Sequence, residues 1–553
     1  MNKLIYLFGL LLIISCKESK EIDYSSVVLW EPYNDSSEAA ANQEHEKSRM
    51  RFKLIQSRVS DKNESFRPLY HEVVKMPESE YEQLKPYILE QDIPTIQGHI
   101  KEGRLTYENL VRFFLYRIYH FELDSSTTLH TIIALNVNVV EEARELDNLI
   151  SEDRHPIFGM PILLKDNIGA AGMNTTAGSI ALKDNETEDA FIVEQLKKNK
   201  ALILGKVNLS EWAYYMCNGC PLGYSAIGGQ TLNPYGRGLY ETGGSSSGSG
   251  TSMAANYAIG AVGTETSGSI LSPSSQNSVV GLKPTIGLLS RTGIVPISST
   301  LDTPGPMTRN VVDNAILLSA MTGKDKDDKK SVGTNEDYLN AVLNAGTLKG
   351  KRLGVFKDLL ETDSIYKNTV NRLGKLGAII FEFTEPEVSM DGFLTLLNID
   401  MKNDLPEYLN ANVQNKKEIP MRTLEEIVKF NLADSLLRIP YGQSIFDGIL
   451  KDSTSLEELQ LIKNRLEENG RLFFDTPMDK HQLDAILSIN NYHAGYAAVA
   501  KYPALTIPMG YKETGEPISL TFISKQFQEP NLLKLGRAFE TATNLRKPPK
   551  AYK

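Results

Sequence analysis

The chain has 553 residues, 41% hydrophobic and 8% aromatic, which is enough to bury one large core and too apolar for a disordered chain. Its formal net charge of −10, with both signs interspersed, offers no basic face to phosphates and sets polynucleotide partners aside.

The chain opens MNKLIYLFGLLLIISC, in which Lys3 precedes an apolar run from Leu4 to Ile14. That run is too short to span a bilayer and reads as a signal peptide over residues 1–16. Ile13-Ile14-Ser15-Cys16 resembles the bacterial lipobox, in which the cysteine becomes a lipid-modified N-terminus. This implies a chain anchored in the cell envelope, on the periplasmic or outer-membrane side, without spanning the membrane. An ordinary signal peptide with an incidental cysteine is the blander alternative. The remaining cysteines stand together as Cys217-Asn218-Gly219-Cys220. A metal site would call for a second pair or nearby histidines, so the motif reads as a structural disulfide or as two free thiols.

Residues 17–80 are polar and rich in Glu, Ser, Asn and Lys, as expected of a tether or N-terminal arm, although Ala39–Val59 admits a helix. A domain is expected over 81–553. Within it, DIPTIQGHIKEGRLTYENLVRFFLYRIYHFE spaces apolar residues for two helices split at Glu102-Gly103. From Ile157 to Thr308, glycine and serine alternate with short apolar runs such as ILLK and ALILGK, the mix of strands ending in tight functional loops. Residues 335–480 carry a charged helical pattern and are expected to form a cap-like, substrate-shaping segment, with a strand near KRLGVF. The last part returns to strand-like runs, AILSI, ALTIPMG and ISLTFIS, and closes on a helix, NLLKLGRAFETATNL. The expected fold is α/β, one large domain with a central mixed β-sheet flanked by helices.

Three blocks place reactive groups beside glycines: GMPILLKDN at 159–167, ETGGSSSGSG at 241–250 and GTETSGSI at 263–270. The second is followed by the small apolar run TSMAANYAIGAVG, expected to be a helix joining two serine-rich turns into one pocket. A Gly/Ser linker would lack that continuation. Gly244-Ser245-Ser246-Ser247-Gly248 matches the G-x-S-x-G nucleophile elbow, yet no hydrophobic strand precedes it, and His481 and His493 stand in no motif that would complete a triad. No metal, nucleotide or dinucleotide motif occurs in a suitable context, so no cofactor and no metal is expected. A serine without a histidine needs another base, and a lysine serves when burial lowers its pKa. Lys165 ends the apolar run Ile162-Leu163-Leu164, where it is either such a base or a surface residue capping a strand.

Taken together the blocks resemble the amidase signature family. The resemblance rests on Gly159-x-Pro161…Lys165-Asp166, Gly243-Gly244-Ser245-Ser246, Gly263-Thr264-Glu265-Thr266-Ser267-Gly268-Ser269 and Val280-Gly281-Leu282-Lys283-Pro284-Thr285. It extends to Lys206-Val207-Asn208-x-x-Glu211-Trp212, Gly229-Gln230-Thr231-x-Asn233-Pro234, Asp302-Thr303-x-Gly305-Pro306-Met307 and Tyr502-Pro503-Ala504-Leu505-Thr506-Ile507-Pro508, in family order over residues 84–548. It implies that Ser269 is the nucleophile, that Ser245, held after a cis peptide bond, relays the proton, and that Lys165 is the base. It also implies an oxyanion hole from the backbone of Thr266, Ser267 and Gly268, with Ser246 among the substrate-binding residues. The chain departs from the family at Ser267, where Gly or Asp is usual, so substrate contacts made there are expected to differ.

The run Ser245-Ser246-Ser247, the GGQTLNPY segment and the closing FETAT resemble the peptide amidase branch more than the glutamine-using amidotransferase branch. This implies hydrolysis of a peptide carboxamide or similar small amide to a carboxylate and ammonia or an amine. The alternatives are a glutaminase subunit of an amidotransferase, which the export signal disfavours, and a catalytically silent ligand-binding lipoprotein, which the intact Lys165, Ser245 and Ser269 disfavour.

Overall fold

The computed structural model describes residue 24, residues 26–149 and residues 154–553; the signal peptide and Cys16 lie outside the described residues. Among the described residues are thirteen strands: β1 (Ile132–Leu135), β2 (Pro161–Lys165), β3 (Leu202–Val207), β4 (Tyr224–Ser225), β5 (Gly229–Gln230), β6 (Gly260–Glu265), β7 (Val280–Lys283), β8 (Thr303–Thr308), β9 (Arg352–Phe356), β10 (Ile379–Phe383), β11 (Ala485–Ile489), β12 (Ala504–Tyr511) and β13 (Pro517–Ile523). Eleven make one mixed sheet in the order β1-β3-β2-β6-β8-β7-β12-β13-β11-β9-β10, while β4 and β5 pair with each other. The sheet is thus assembled from the glycine-rich middle of the chain and its C-terminal part, and it is flanked by helices.

Every residue of β2, β3, β6, β11 and β13 is buried, so these strands are covered on both faces, which explains near-continuous apolar runs where one-sided strands would alternate. β2 runs parallel to both β3 and β6, with Lys165 beside Val207 and Leu164 beside Val262. The C-terminal ends of three parallel neighbours therefore open on one rim, the place where α/β sheets put their ligands.

The two helices read from the early pattern are Ile93–Lys101 and Tyr107–Glu122, each started by a side-chain cap, Asp92 and Thr106, and separated by Gly103 at φ +73°. The run Thr251–Gly263 is not one helix. Ser247–Ala254 is helical, Asn256 turns the chain at φ +58°, and the rest becomes β6. A small apolar run has no period that separates a buried helix from a buried strand, and the asparagine and Gly260 are its only local marks of a break. The N-terminal arm also differs from the expected tether over 17–80. Met50, Phe52, Ile55, Phe66 and Leu69 belong to the main core, with Phe66 and Leu69 on the helix Lys62–Val73. Their apolar stripe is diluted by polar neighbours, which hides it. Ala39–Val59 holds only the end of the helix Ser36–Ala41 and a single turn at Ser48–Met50.

The segment expected to be a cap, 335–480, divides: its first part carries β9 and β10 and belongs to the central sheet, and only its later part is helical throughout, with Phe393–Asn412, Leu424–Leu432, Ser435–Arg438, Ser444–Lys451 and Leu456–His481. The apolar faces of these helices, Ser435–Arg438 excepted, form a second cluster with Trp212, Tyr215, Met216, Cys217, Val295, Ile297 and Leu301, from the connecting segments of the body. Helix Ser444–Lys451 has no side-chain cap of its own. The N–H groups of Ile445 and Phe446 donate instead to the Met216 carbonyl at 3.0 and 3.4 Å, and the Asn218 N–H donates to Ser444 Oγ at 3.0 Å. Met216 and Asn218 flank Cys217, which is joined to Cys220 in a disulfide with Cα atoms 5.8 Å apart.

Candidate active site

Lys165 is wholly buried at the end of β2. Its ammonium Nζ has three acceptors, Ser245 Oγ at 2.7 Å, Thr264 Oγ1 at 2.8 Å and the Thr264 carbonyl at 3.1 Å. Asn167 Nδ2 donates to the same Thr264 hydroxyl at 3.0 Å, fixing it in place. Burial brings the Lys165 pKa down to about 7, against the pull of the Asp302 and Glu265 carboxylates. Near neutral pH the amine is therefore available both with and without its third proton. In the neutral form its lone pair can accept the Ser245 hydroxyl hydrogen across the same contact.

Ser245 follows a cis peptide bond from Gly244 and is also wholly buried. Its carbonyl accepts from the N–H groups of Ser210 at 3.0 Å and Ser247 at 2.9 Å. The next residue stitches the serine-rich turn to the neighbouring strand: Ser246 Oγ donates to the Thr264 carbonyl at 3.1 Å and accepts from the Thr264 N–H at 3.2 Å, while the Ser246 N–H donates to the Ser269 carbonyl at 3.2 Å. Helix Ser247–Ala254, which leads away from this turn, approaches β3 so closely that a Cβ on Gly248 would lie 2.5 Å from the Asn208 carbonyl oxygen. Only glycine permits that approach.

Ser269 lies in the turn after β6 and is half-buried, whereas Lys165 and Ser245 are wholly buried. The Glu265 carboxylate spans this turn from beneath. Oε1 accepts from the Gly268 N–H at 2.7 Å, and Oε2 accepts from Ile270 at 2.7 Å and Leu271 at 3.0 Å. The Gly268 N–H, expected as an oxyanion donor, is thus committed inward. Burial raises the Glu265 pKa, with the Lys283 ammonium and these N–H groups opposing. Thr266 Oγ1 donates to Asp302 Oδ1 at 2.5 Å. Ser267 points at the segment before and within helix Ala494–Val499: a Cβ on Gly495 would stand 3.9 Å from Ser267 Oγ and 3.7 Å from Met390 Cε.

The structure therefore brings together Lys165, Ser245, Ser246 and the turn Thr266–Ser269. Of the two late histidines, His493 is engaged elsewhere, by Ser488 Oγ at 2.6 Å and by Glu385. Thr264, Glu265, Asn167 and Asp302 are the members of the site that sequence reasoning misses. Each stands inside a glycine-bearing block, where an acid, amide or hydroxyl among glycines and apolar residues is the signal that marks it.

The family model described as Amidase matches residues 109–489. A protein of Arabidopsis thaliana named a probable amidase is 36% identical over 479 residues, 84% of this chain and 92% of that one. A glutamyl-tRNA(Gln) amidotransferase subunit of Exiguobacterium sibiricum is 28% identical over 82% of this chain and 98% of its own. Among solved structures, an amidase family protein from Bacillus anthracis superposes with a TM-score of 0.85 at 36% identity, covering 90% of this chain and 99% of that one. The peptide amidase of Stenotrophomonas maltophilia superposes with a TM-score of 0.77 at 36% identity, covering 83% and 98%. The chain belongs to the amidase family, with the amidase-signature fold, and is an enzyme that hydrolyses carbon–nitrogen bonds.

Proposed function

We propose that the protein cleaves a peptide C-terminal carboxamide, or a similarly small amide, through an acyl-enzyme on Ser269. The observation that carries this reading is the 2.7 Å contact between the buried Lys165 Nζ and Ser245 Oγ. Neutral Lys165 takes the Ser245 proton as Ser245 takes that of Ser269, and Ser269 Oγ attacks the amide carbon. Because Gly268 is committed to Glu265, the oxyanion is received by the N–H groups of Ser267 and its neighbours Thr266 and Ser269. Donors of this kind are worth about 3–4 kcal/mol each. The proton then returns from Lys165 through Ser245 to the leaving nitrogen, ammonia or an amine departs, and water repeats the sequence on the ester to release the carboxylate.

The likeness to a solved peptide amidase supports a peptide-like amide, and the half-buried position of Ser269 leaves it approachable from the rim. The disulfide between Cys217 and Cys220 suits an oxidising compartment, in line with a signal peptide at 1–16 and lipid attachment at Cys16. The test is ammonia release by the chain lacking residues 1–16, from peptide carboxamides, aryl amides and free glutamine, beside Ser269→Ala. Release from peptide amides that disappears in the variant is expected. Release from glutamine alone would favour the amidotransferase reading, and no release together with no fluorophosphonate labelling of Ser269 would favour a ligand-binding lipoprotein.

A further inference from the structure

We infer that the cavity at the C-terminal ends of β9, β10 and β11 is a subsite of this enzyme, which takes a cationic side chain, arginine or lysine, of a peptide carboxamide. The inference rests on the reading of Ser269 as the nucleophile for such amides.

The topology makes a second rim there. β9 runs parallel to both β10 and β11, with Phe356 beside Phe383 and Val355 beside Leu487, so three neighbouring strands end together, as β2, β3 and β6 do at Lys165. The ends of parallel strands are where such sheets place ligands. The segments leaving these three enclose a cavity of about 460 Å³, with Phe356 and Asp358 from the end of β9, Glu385 from beyond β10, and Tyr492, His493 and Tyr496 from beyond β11. That is room for a long side chain.

One wall of the cavity is shared with the active site. In the segment after β11, Asn491 faces the turn that carries Ser269, since a Cβ on Gly268 would stand 2.9 Å from Asn491 Nδ2. Gly495 meets Ser267 in the same segment. Tyr492, His493 and Tyr496 interleave with these residues and line the cavity. Because consecutive Cα atoms are about 3.8 Å apart, a peptide lying on the Ser269 turn reaches this wall within one or two residues of its carboxamide.

The chemistry of the cavity selects for positive charge. Asp358 and Glu385 bring carboxylates, Phe356, Tyr492 and Tyr496 bring aromatic faces, and neither lysine nor arginine lines it. Carboxylates beside aromatic faces suit an ammonium or a guanidinium. His493 fixes one of the two carboxylates: its ring stacks on Phe356 with centroids 4.0 Å apart, its Nε2–H donates to Glu385 Oε1, and its Nδ1 accepts the Ser488 hydroxyl at 2.6 Å. This is the bonding of a neutral imidazole, so the ring orients Glu385 without cancelling its charge. Among the described residues, no hydrogen bond engages Glu385 Oε2. Ser488 is buried within β11, which makes the trio a support for the carboxylate and not a second nucleophile.

The test compares kcat/KM for pairs of peptide carboxamides carrying arginine or citrulline, its uncharged isostere, at the residue that bears the carboxamide or at the one before it. Arginine is expected to be favoured about tenfold at one of these positions, the size of a single cation–π or charged hydrogen-bond contact. In Glu385→Gln the ratio should fall toward one, and in the exposed Asp358→Asn, which serves if the first variant does not fold, it should fall in part. A purely structural role for either residue would lower both members of a pair together and leave the ratio as it was. Calorimetric binding of the same pairs to Ser269→Ala reads the cavity without turnover, and arginine should bind about tenfold more tightly there. Equal rates in the wild type with equal binding to Ser269→Ala, or a preference that survives both substitutions, overturns the inference. Absence of turnover from every amide, together with no fluorophosphonate labelling of Ser269, overturns instead the reading beneath it.

Discussion

Lys165 and Thr264 share two contacts, ammonium to hydroxyl at 2.8 Å and ammonium to carbonyl at 3.1 Å, so β6 holds the lysine of β2 by both a side chain and its backbone. The third acceptor, Ser245, is the one partner that comes from outside the sheet. The sheet fixes the amine, and the serine-rich turn is brought to it.

The first prediction concerns pH. With its pKa lowered to about 7, Lys165 loses its extra proton as pH rises through that value, so the acylation rate should climb across pH 6–8 and level off above. Lys165→Ala should lose this limb and slow acylation by about 10²–10⁴-fold. Stopped-flow release from an aryl amide, followed over pH, measures both.

Stability moves in the same direction for the same residue. The native pKa lies below the ordinary value of 10.5, so the unfolded chain binds more protons between the two and burial of Lys165 costs progressively more as pH falls toward 7. Lys165→Met, similar in length and uncharged, should therefore flatten the rise of thermal midpoint between pH 7 and pH 9. Scanning calorimetry across that range gives the answer.

Glu265 should matter to folding as much as to catalysis. Glu265→Gln replaces a carboxylate that accepts three backbone N–H groups and leaves the buried Lys283 with Glu529 in place of two facing carboxylates. Charged hydrogen bonds of this kind contribute about 1.5–3 kcal/mol each, so a loss of at least about 2 kcal/mol is expected in urea titration.

Gly248→Ala tests the approach of the serine-rich turn to β3. The new Cβ would stand 2.5 Å from a backbone oxygen that has nowhere to go, and overpacking typically costs about 1–3 kcal/mol. Because the displaced helix begins at Ser247, activity should drop further than stability alone explains. Comparing residual activity with the folded fraction at one temperature separates the two.

Much of this site was legible in the chain. Lys165 at the end of an apolar run, and two glycine-flanked serine turns around Ser245 and Ser269, follow from the local sequence because strand ends and tight turns leave local marks. The strands β9, β11, β12 and β13 and the closing helix were equally visible. What stayed hidden was set by pairings across distance. Thr266 meets Asp302, 36 positions away, only because β6 and β8 run antiparallel. The commitment of the Gly268 N–H to Glu265 depends on how the turn folds back over its own strand. Phe66 and Leu69 look like scattered apolar residues in a polar arm until helix Lys62–Val73 turns them to one side.

The carbonyl of Met216 makes the helical lobe and the sheet-bearing body inseparable parts. Helix Ser444–Lys451 finds the acceptor for its first amides on a loop of the body, and that loop is closed by the Cys217–Cys220 bond. A chimaera that exchanges residues 385–480 with those of a relative would import a helix whose start expects a different host, so grafts that alter substrate preference should carry residues 210–224 along with the lobe.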